Sequence, residues 1–453
     1  MKALDSIVGR IRAQNREIAE VLCVAVDSFG RDPRPDRLQI LLDVLRDGQM
    51  TCEEESKRLR AIDARRKRHY ARLRRRDHEF GRAIGAQYTL VAERARLVEI
   101  RRRLLRQIGD AVAWVLLGGN VRLIASLYTV QTHQIPREAG LAGAILVEHA
   151  LHESGKYFVL ETDLVRCVGT GDLLVIPVER IAWEPLVLEL KSSGEVKLGA
   201  ELGVGIGSAY ANDSAHQEIF DDVAAILKTS EWISGGDSPR TQRQIHELGE
   251  RTKRMFQLNR SGAQVLRRPS SPHWRAMTNI IDRAIASGSS FDVVEAGVYK
   301  WAVRNRPGDD LEGAIVGVHR RIHSIAGISD ENKYAWSATA DLAERDDLST
   351  VVLPVALWDL PAAQRAAILA DELVVGNLRQ VGLLEGHLRA LGVALERVDG
   401  GVRLRKDGDE RVMSQLEFTH VEASTSMTGL SLRDVATVLA EGFQLDPDSR
   451  VGR

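Results

Sequence analysis

Gly171-Asp172-Leu173-Leu174-Val175-Ile176 and, after a short connection, Leu186-Val187-Leu188-Glu189-Leu190-Lys191-Ser192-Ser193 decide how this chain is read. An acid stands at the mouth of the first apolar run; an acid and a lysine stand two residues apart near the end of the second. In a β-strand alternate residues share a face, so Glu189 and Lys191 point one way while Leu188 and Leu190 point into the core. Nearly continuous apolar runs mark strands buried on both faces. A charged pair in that setting is costly unless it is paired or holds a metal. Asp172 and Glu189 are 17 residues apart, enough for two adjacent strands and their turn. Two carboxylates converging there suit a hard divalent cation that keeps several of its waters. A lysine beside them can position or help deprotonate one of those waters.

Working outward, Pro136 before Arg137-Glu138 fits a helix start, Leu141, Ile145 and Leu151 lie towards one helical face, and Gly155 ends it. Residues 156–160 and 164–168 are strand material around a polar break, and a Gly-Thr-Gly turn leads into the two runs above. The order is helix, strand, strand, strand. Beyond them, Gly203-Val204-Gly205-Ile206-Gly207 is expected to be a glycine-rich loop, without the lysine and spacing of a phosphate loop. Residues 217–232 read as a helix.

This pattern resembles the signature of the PD-(D/E)xK, or restriction-endonuclease-like, nuclease superfamily, over residues 136–232. There an acid opens the second core strand and an acid-x-lysine follows on the third. The resemblance implies that Asp172 and Glu189 bind Mg²⁺ (or Mn²⁺) and that Lys191 is the catalytic lysine. It also implies an acid from the preceding helix, for which Glu148, between Ile145 and Leu151, is the choice and Glu138 the runner-up. Gly171 stands where the name-giving proline would be, and the family's polar residue after the third strand has no unique match, though Gln217 is available. The ordinary reading of the same residues is a turn aspartate and an exposed edge-strand pair. The implied activity is metal-dependent hydrolysis of phosphodiester bonds, DNA first, in prokaryotic defence, restriction or repair.

Composition narrows the rest. With 453 residues, 44% hydrophobic and 28% charged, the chain is an ordinary globular protein of two or three domains. No apolar run is long enough for a membrane span, the N-terminus lacks a signal peptide's apolar core, and Cys23, Cys52 and Cys167 have no paired spacing. A reduced, cytoplasmic protein is expected. The net charge of −1 conceals an asymmetry: from Lys57 to Arg106 there are 18 Lys or Arg against five Asp or Glu, an excess of +13. Such a block is the footprint of a polyanion, nucleic acid first, although a solvated helix surface paired with acids elsewhere would read the same. Arg65, Arg66, Arg68, Arg72, Arg75 and Arg76 would cover more than one helical face and are the candidate phosphate contacts.

The first 115 residues read as helical, with a break at Gly30, Pro33 and Pro35, a short second helix capped by Asp36, and one long helix or a hairpin turning near Gly81 and Gly85. Residues 291–303 resemble a strand pair. Further on, 351–358 read as a strand, 362–373 and 382–391 as helices, 393–397 and 402–406 as a hairpin, and Ser431 as the cap of a last helix. His149 and His152, beside Glu148 and Glu153, could share a metal but are more ordinarily helix-end residues. The expectation is an α/β fold: a helical, Arg-rich region (1–113), a mixed-sheet restriction-endonuclease-like core (114–235), a mixed connecting region (236–345) and an α/β C-terminal region (346–453). Nucleic acid is the expected partner, with a second copy or a partner protein open and no membrane. The alternatives are a non-catalytic nucleic-acid-binding or scaffold protein on the same fold, and a helical interaction protein whose basic segment pairs with an acidic partner.

Overall fold

A computed structural model describes residues 2–73, 78–120, 123–124, 127, 138–168, 172–180, 185–192, 202–207, 214–228, 233–234, 272–306, 309–326, 335–340, 353–398, 401–406, 412–417, 433 and 436–437. Two compact units divide the chain: residues 1–119 with 126–257, and residues 120–125 with 258–453. The class is α/β, helices with small, largely antiparallel sheets. None of the described helices is long and apolar enough to cross a membrane.

The first unit begins with α1 (Lys2–Arg31), α2 (Pro35–Leu73) and α3 (His78–Leu116). Proline opens α2 because its missing N–H would be unpaired there anyway. This helix runs unbroken for 39 residues, where a short one was expected. α3 passes through Gly81 and Gly85, the expected turn, without a break, and residues 74–77 between α2 and α3 lie outside the described residues. An isolated glycine costs a helix only about 1 kcal/mol, too little to end one packed along its neighbour. Leu38, Leu41, Leu42, Leu45, Cys52 and Leu59 of α2 are buried, but no residue from 60 to 68 is. On α3 Val91, Leu97, Val98 and Ile100 are buried. Residues 60–68 of α2 therefore run clear of the core.

Then come α4 (Glu138–Glu153), β1 (Tyr157–Glu161), β2 (Leu173–Pro177), β3 (Leu186–Ser192), β4 (Leu202–Gly207), α5 (Ser214–Lys228) and β5 (Ile233–Ser234). The strands lie in the sheet in chain order; every neighbouring pair is antiparallel except β4 and β5, which are parallel with α5 between them. Tyr157, Val159, Leu173, Val175, Leu186 and Leu188 alternate onto one face and pack against Val147 and Leu151 of α4 and Val223 and Leu227 of α5. On the other face Phe158, Leu174, Ile176 and Val187 are fully buried, with Phe29 of α1 edge-on to Phe158 at 6.1 Å. That explains the unbroken apolar runs: both faces are covered.

Two expectations in this region are corrected. Residues 203–207 are strand β4, paired with β3 from Val187–Gly207 to Ser192–Leu202, because the ladder partner on β3 outweighs glycine's weak strand preference. Residues 164–168 are not a strand: a 3₁₀ turn (Thr162–Leu164) gives way to backbone whose polar groups bond to helices instead of a ladder. Gln49 Nε2 donates to Leu164 O (3.0 Å), and Asp110 accepts the N–H groups of Arg166 (2.6 Å) and Cys167 (2.9 Å).

The second unit contains α6 (Pro272–Ser287), β6 (Ser289–Glu295), β7 (Val298–Arg304), α7 (Leu311–Ala326), β8 (Ala335–Ala340), α8 (Ala362–Leu369), β9 (Leu373–Gln380), α9 (Val381–Ala390), β10 (Val393–Val398), β11 (Gly401–Lys406) and β12 (Val412–Glu417). β6, β7, β9 and β8 form one antiparallel sheet and β10 to β12 another. The β6–β7 pair, α9 and the β10–β11 hairpin are as expected. Residues 353–358 are instead irregular around a 3₁₀ turn (Val355–Leu357), since Pro354 lacks a donor and Trp358 Nε1 turns back to Leu353 O. The strand of this region is β9, which begins within what was expected to be a helix to residue 373. The helix expected to start at Ser431 lies largely outside the described residues.

Gly109 gives the first test. A Cβ built on it would stand 2.5 Å from Leu164 O and 3.1 Å from Val165 Cγ1, so the α3 backbone lies directly against the backbone of the β1–β2 connection. Gly109→Ala should destabilise by about 1–3 kcal/mol, whereas Gly9→Ala, with nothing within 4 Å in exposed α1, should stabilise by up to about 1 kcal/mol. Urea unfolding midpoints at unchanged slope measure both; equal effects would mean that the Gly109 contact is not made.

Candidate active site

Asp172 stands one residue before β2 and ties three strands together. Its N–H donates to Leu188 O (2.8 Å), its carbonyl accepts Thr162 N–H (3.0 Å), and its carboxylate Oδ2 accepts Leu190 N–H. Leu188 and Leu190 flank Glu189, so Asp172 is bound to the backbone on both sides of that residue. Lys191 follows on the same strand, its backbone paired with Gly203. The side chains of Glu189 and Lys191 lie outside the described residues. In the backbone, Asp172 stands just before β2, and Glu189 and Lys191 lie on the adjacent β3.

Glu148 has another set of neighbours. It is fully buried on α4, and its Oε2 accepts from Arg46 Nη2 of α2 at 2.6 Å. Arg46 also donates through Nε to Oε1 of Glu161 at 3.0 Å, through Nη2 to the same oxygen, and through Nη1 to Asp43 at 2.6 Å. Arg46 is 6% exposed and Glu161 2%. Burial works against the guanidinium charge, and the hydrogen bond and charge of Glu161, with the hydrogen bond of Asp43, outweigh it and keep Arg46 protonated. Burial first, and Glu161 next, push the Glu148 carboxyl up to about 9, so it keeps a proton at neutral pH. Glu148 is therefore a core acid shared with Arg46 and Glu161. Glu138 is the first residue of α4.

His152 has a role of its own. Val159 N–H donates to His152 Nε2 (3.0 Å), which leaves Nδ1–H to donate to Gln39 Oε1. Burial, then the charge of His149, lower its pKa to about 4. An imidazole used at both nitrogens has no lone pair for a metal.

Asp163, in the turn between β1 and β2, is the acid that sequence reasoning passed over as a polar break. Burial, and then the charges of Asp172 and Glu161, push it up to about 6, with Arg106 acting against them. The one signal was Glu161-Thr162-Asp163, two acids two residues apart at the end of an apolar strand. Asp163 and Asp172 thus repel each other, and a cation between them would relieve it. Carboxylate oxygens are hard donors of the kind that hold Mg²⁺ or Mn²⁺, and the side chain of Glu189, the other acid expected there, lies outside the described residues. Among the described residues no three His, Cys, Asp or Glu side chains form a metal-binding group.

The basic segment is of two kinds. Near the base of the hairpin its charges are matched: Arg94 with Glu55 (2.7 Å), Arg96 with Glu93 (3.3 Å), and Arg102 and Arg103 with Glu99 (2.6 and 3.2 Å). Further out, Lys67 meets Asp63 at 2.9 Å, but Arg60 and Arg65 have no carboxylate partner among the described residues, and Arg68 bonds to Ala64 O. Arg65 and Arg68 are exposed and Arg66 half-buried. Arg72 lies in α2 with its side chain outside the described residues, as are Arg75 and Arg76 entirely.

No protein-family model matches the chain, and neither a curated protein nor a solved structure is similar to it.

The ion cluster makes a prediction about pH. Glu148 binds its proton in the folded state up to about 9 but in the unfolded chain only to 4.5, so the folded state holds the extra proton and stability falls as pH rises between them. His152 acts in the opposite sense but only below 6.5, which leaves pH 7 to 8.5 as the window to test. There the wild type should lose up to about 1.4 kcal/mol per pH unit through Glu148, and Glu148→Gln should flatten that slope. Arg46→Met, which strands two buried carboxyls, should cost about 3–5 kcal/mol. Urea unfolding across the window tests both; an equal slope in wild type and Glu148→Gln would show that Glu148 is ionised.

Proposed function

We propose that this protein is a metal-dependent nuclease with a restriction-endonuclease-like core, hydrolysing phosphodiester bonds of DNA. The observation that carries the reading is Asp172, hydrogen-bonded to the backbone of both neighbours of Glu189 with Lys191 two residues further along β3. The succession α4, β1, β2, β3 supports it. Asp172 and Glu189 would hold Mg²⁺ or Mn²⁺, with Asp163 a further carboxylate at hand. The bound cation would supply polarisation of the phosphoryl oxygen and a lowered pKa for water. Lys191 would orient the attacking water, and Glu148 would act through the cluster it shares with Arg46 and Glu161. Exposed arginines of α2 would bind phosphates without reading bases. Prokaryotic defence, restriction or repair is the setting that the resemblance implies.

One observation favours the second reading, a nucleic-acid-binding or scaffold protein on this fold. The Asp172 carboxylate already has a structural partner in Leu190 N–H. Asp172→Asn separates the two, since an amide oxygen can keep that bond while the charge is lost. With plasmid DNA and Mg²⁺, cleavage should be abolished by chelator. Asp172→Asn, Glu189→Gln and Lys191→Ala should each slow it by at least about a hundredfold. Wild-type protein that binds DNA but never cuts it, or three variants that cut as well as wild type, would overturn the nuclease reading.

A further inference from the structure

Arg46 marks where the candidate site lies along α2. It bonds Glu161, and the next residue, Thr162, donates to Asp172 O. From that level α2 continues as one helix through Arg60, Arg65 and Arg68. At 1.5 Å per residue these arginines stand about 21, 28 and 33 Å further along the axis. Beyond Leu59 no described α2 side chain is buried, so they sit on a projecting arm, with no carboxylate partner among the described residues. Nearer the base, by contrast, arginines are matched to Glu55, Glu93 and Glu99. Among the described residues, carboxylates meet the arginines near the base, whereas Arg60, Arg65 and Arg68 further out have none.

Resting on the nuclease reading, we infer that this arm is a second phosphate-contact point, displaced about 30 Å along α2 from the level of the cutting site. The enzyme therefore favours duplex DNA that continues about nine base pairs beyond the bond to be cut, at 3.4 Å per base pair. Ile62 is the one aliphatic side chain larger than alanine between residues 60 and 68. A protein partner would need an apolar centre to bury, and phosphate contacts need none. Duplex DNA is stiff over this distance, so one molecule reaches both points only if it is long enough, and the second contact then adds to the first within one complex.

The test uses the full-length protein and duplexes from about 6 to about 24 base pairs, with affinity measured in chelator and cleavage in Mg²⁺. Affinity and kcat/KM of the wild type should each rise at least about tenfold as the duplex passes about ten base pairs. The variant R60Q/R65Q/R68Q should lose that step, and its salt slope for long duplexes should flatten by up to about 2.7 units. The charge-keeping R60K/R65K/R68K should retain the step, which distinguishes lost contacts from a damaged helix. Cleavage with no dependence on length, or a step that survives in R60Q/R65Q/R68Q, would overturn the inference and leave the nuclease reading standing. A binding step without cleavage at any length would do the reverse.

Discussion

Arg46 between Glu148 and Glu161 is the interaction on which the first unit depends. A guanidinium and two carboxyls taken from water cost several kcal/mol each, and only good geometry and a shared proton make the cluster tolerable. Arg46 supplies the geometry, bonding three acids from one fork. The protein thereby fixes α2 to α4 and to the end of β1 at a single point. Thr162, which follows Glu161 and donates to Asp172 O, is placed relative to it, and so is Asp163.

The connection between β1 and β2 shows how that placement is kept. Its described residues 162–168 have no strand partner, yet α2 and α3 take their backbone groups through Gln49 and Asp110, and Gly109 lets the α3 backbone come close. A turn held this way has little freedom to wander. Carboxylates that repel one another, as Asp163 and Asp172 do, need such bracing, since an unbraced turn would separate them and spoil a cation site. Precision at Asp172 is thus bought by helices distant in sequence.

What the sequence made legible was local. Alternation and apolar runs located β2 and β3, the acid before one and the acid-x-lysine on the other, because period and burial are written in neighbouring residues. The β6–β7 pair and the β10–β11 hairpin were legible for the same reason. Arg46 was not: within Leu45-Arg46-Asp47 it looks like any polar residue of an amphipathic helix, and its partners lie 102 and 115 residues away. β4 was hidden by three glycines whose strand character comes from β3. β9 was hidden by Gly376 and Asn377, which look like a break but lie in the middle of a sheet. The arginine block was half legible, because counting charges cannot tell those paired across the hairpin from those left over.

The position of Arg46 also has a consequence for a chain still being made. At about 5–20 residues per second, the ribosome delivers Glu148 and Glu161 some 5 to 20 seconds after Arg46. Through that interval α2 carries Leu38, Leu42 and Leu45, which later become core, with no sheet to cover them. A cation beside those leucines keeps the waiting helices hydrated and discourages them from collapsing onto one another in the wrong register. Arg46 is first a solubilising charge for the nascent helices and only later the counter-ion at the centre of the fold.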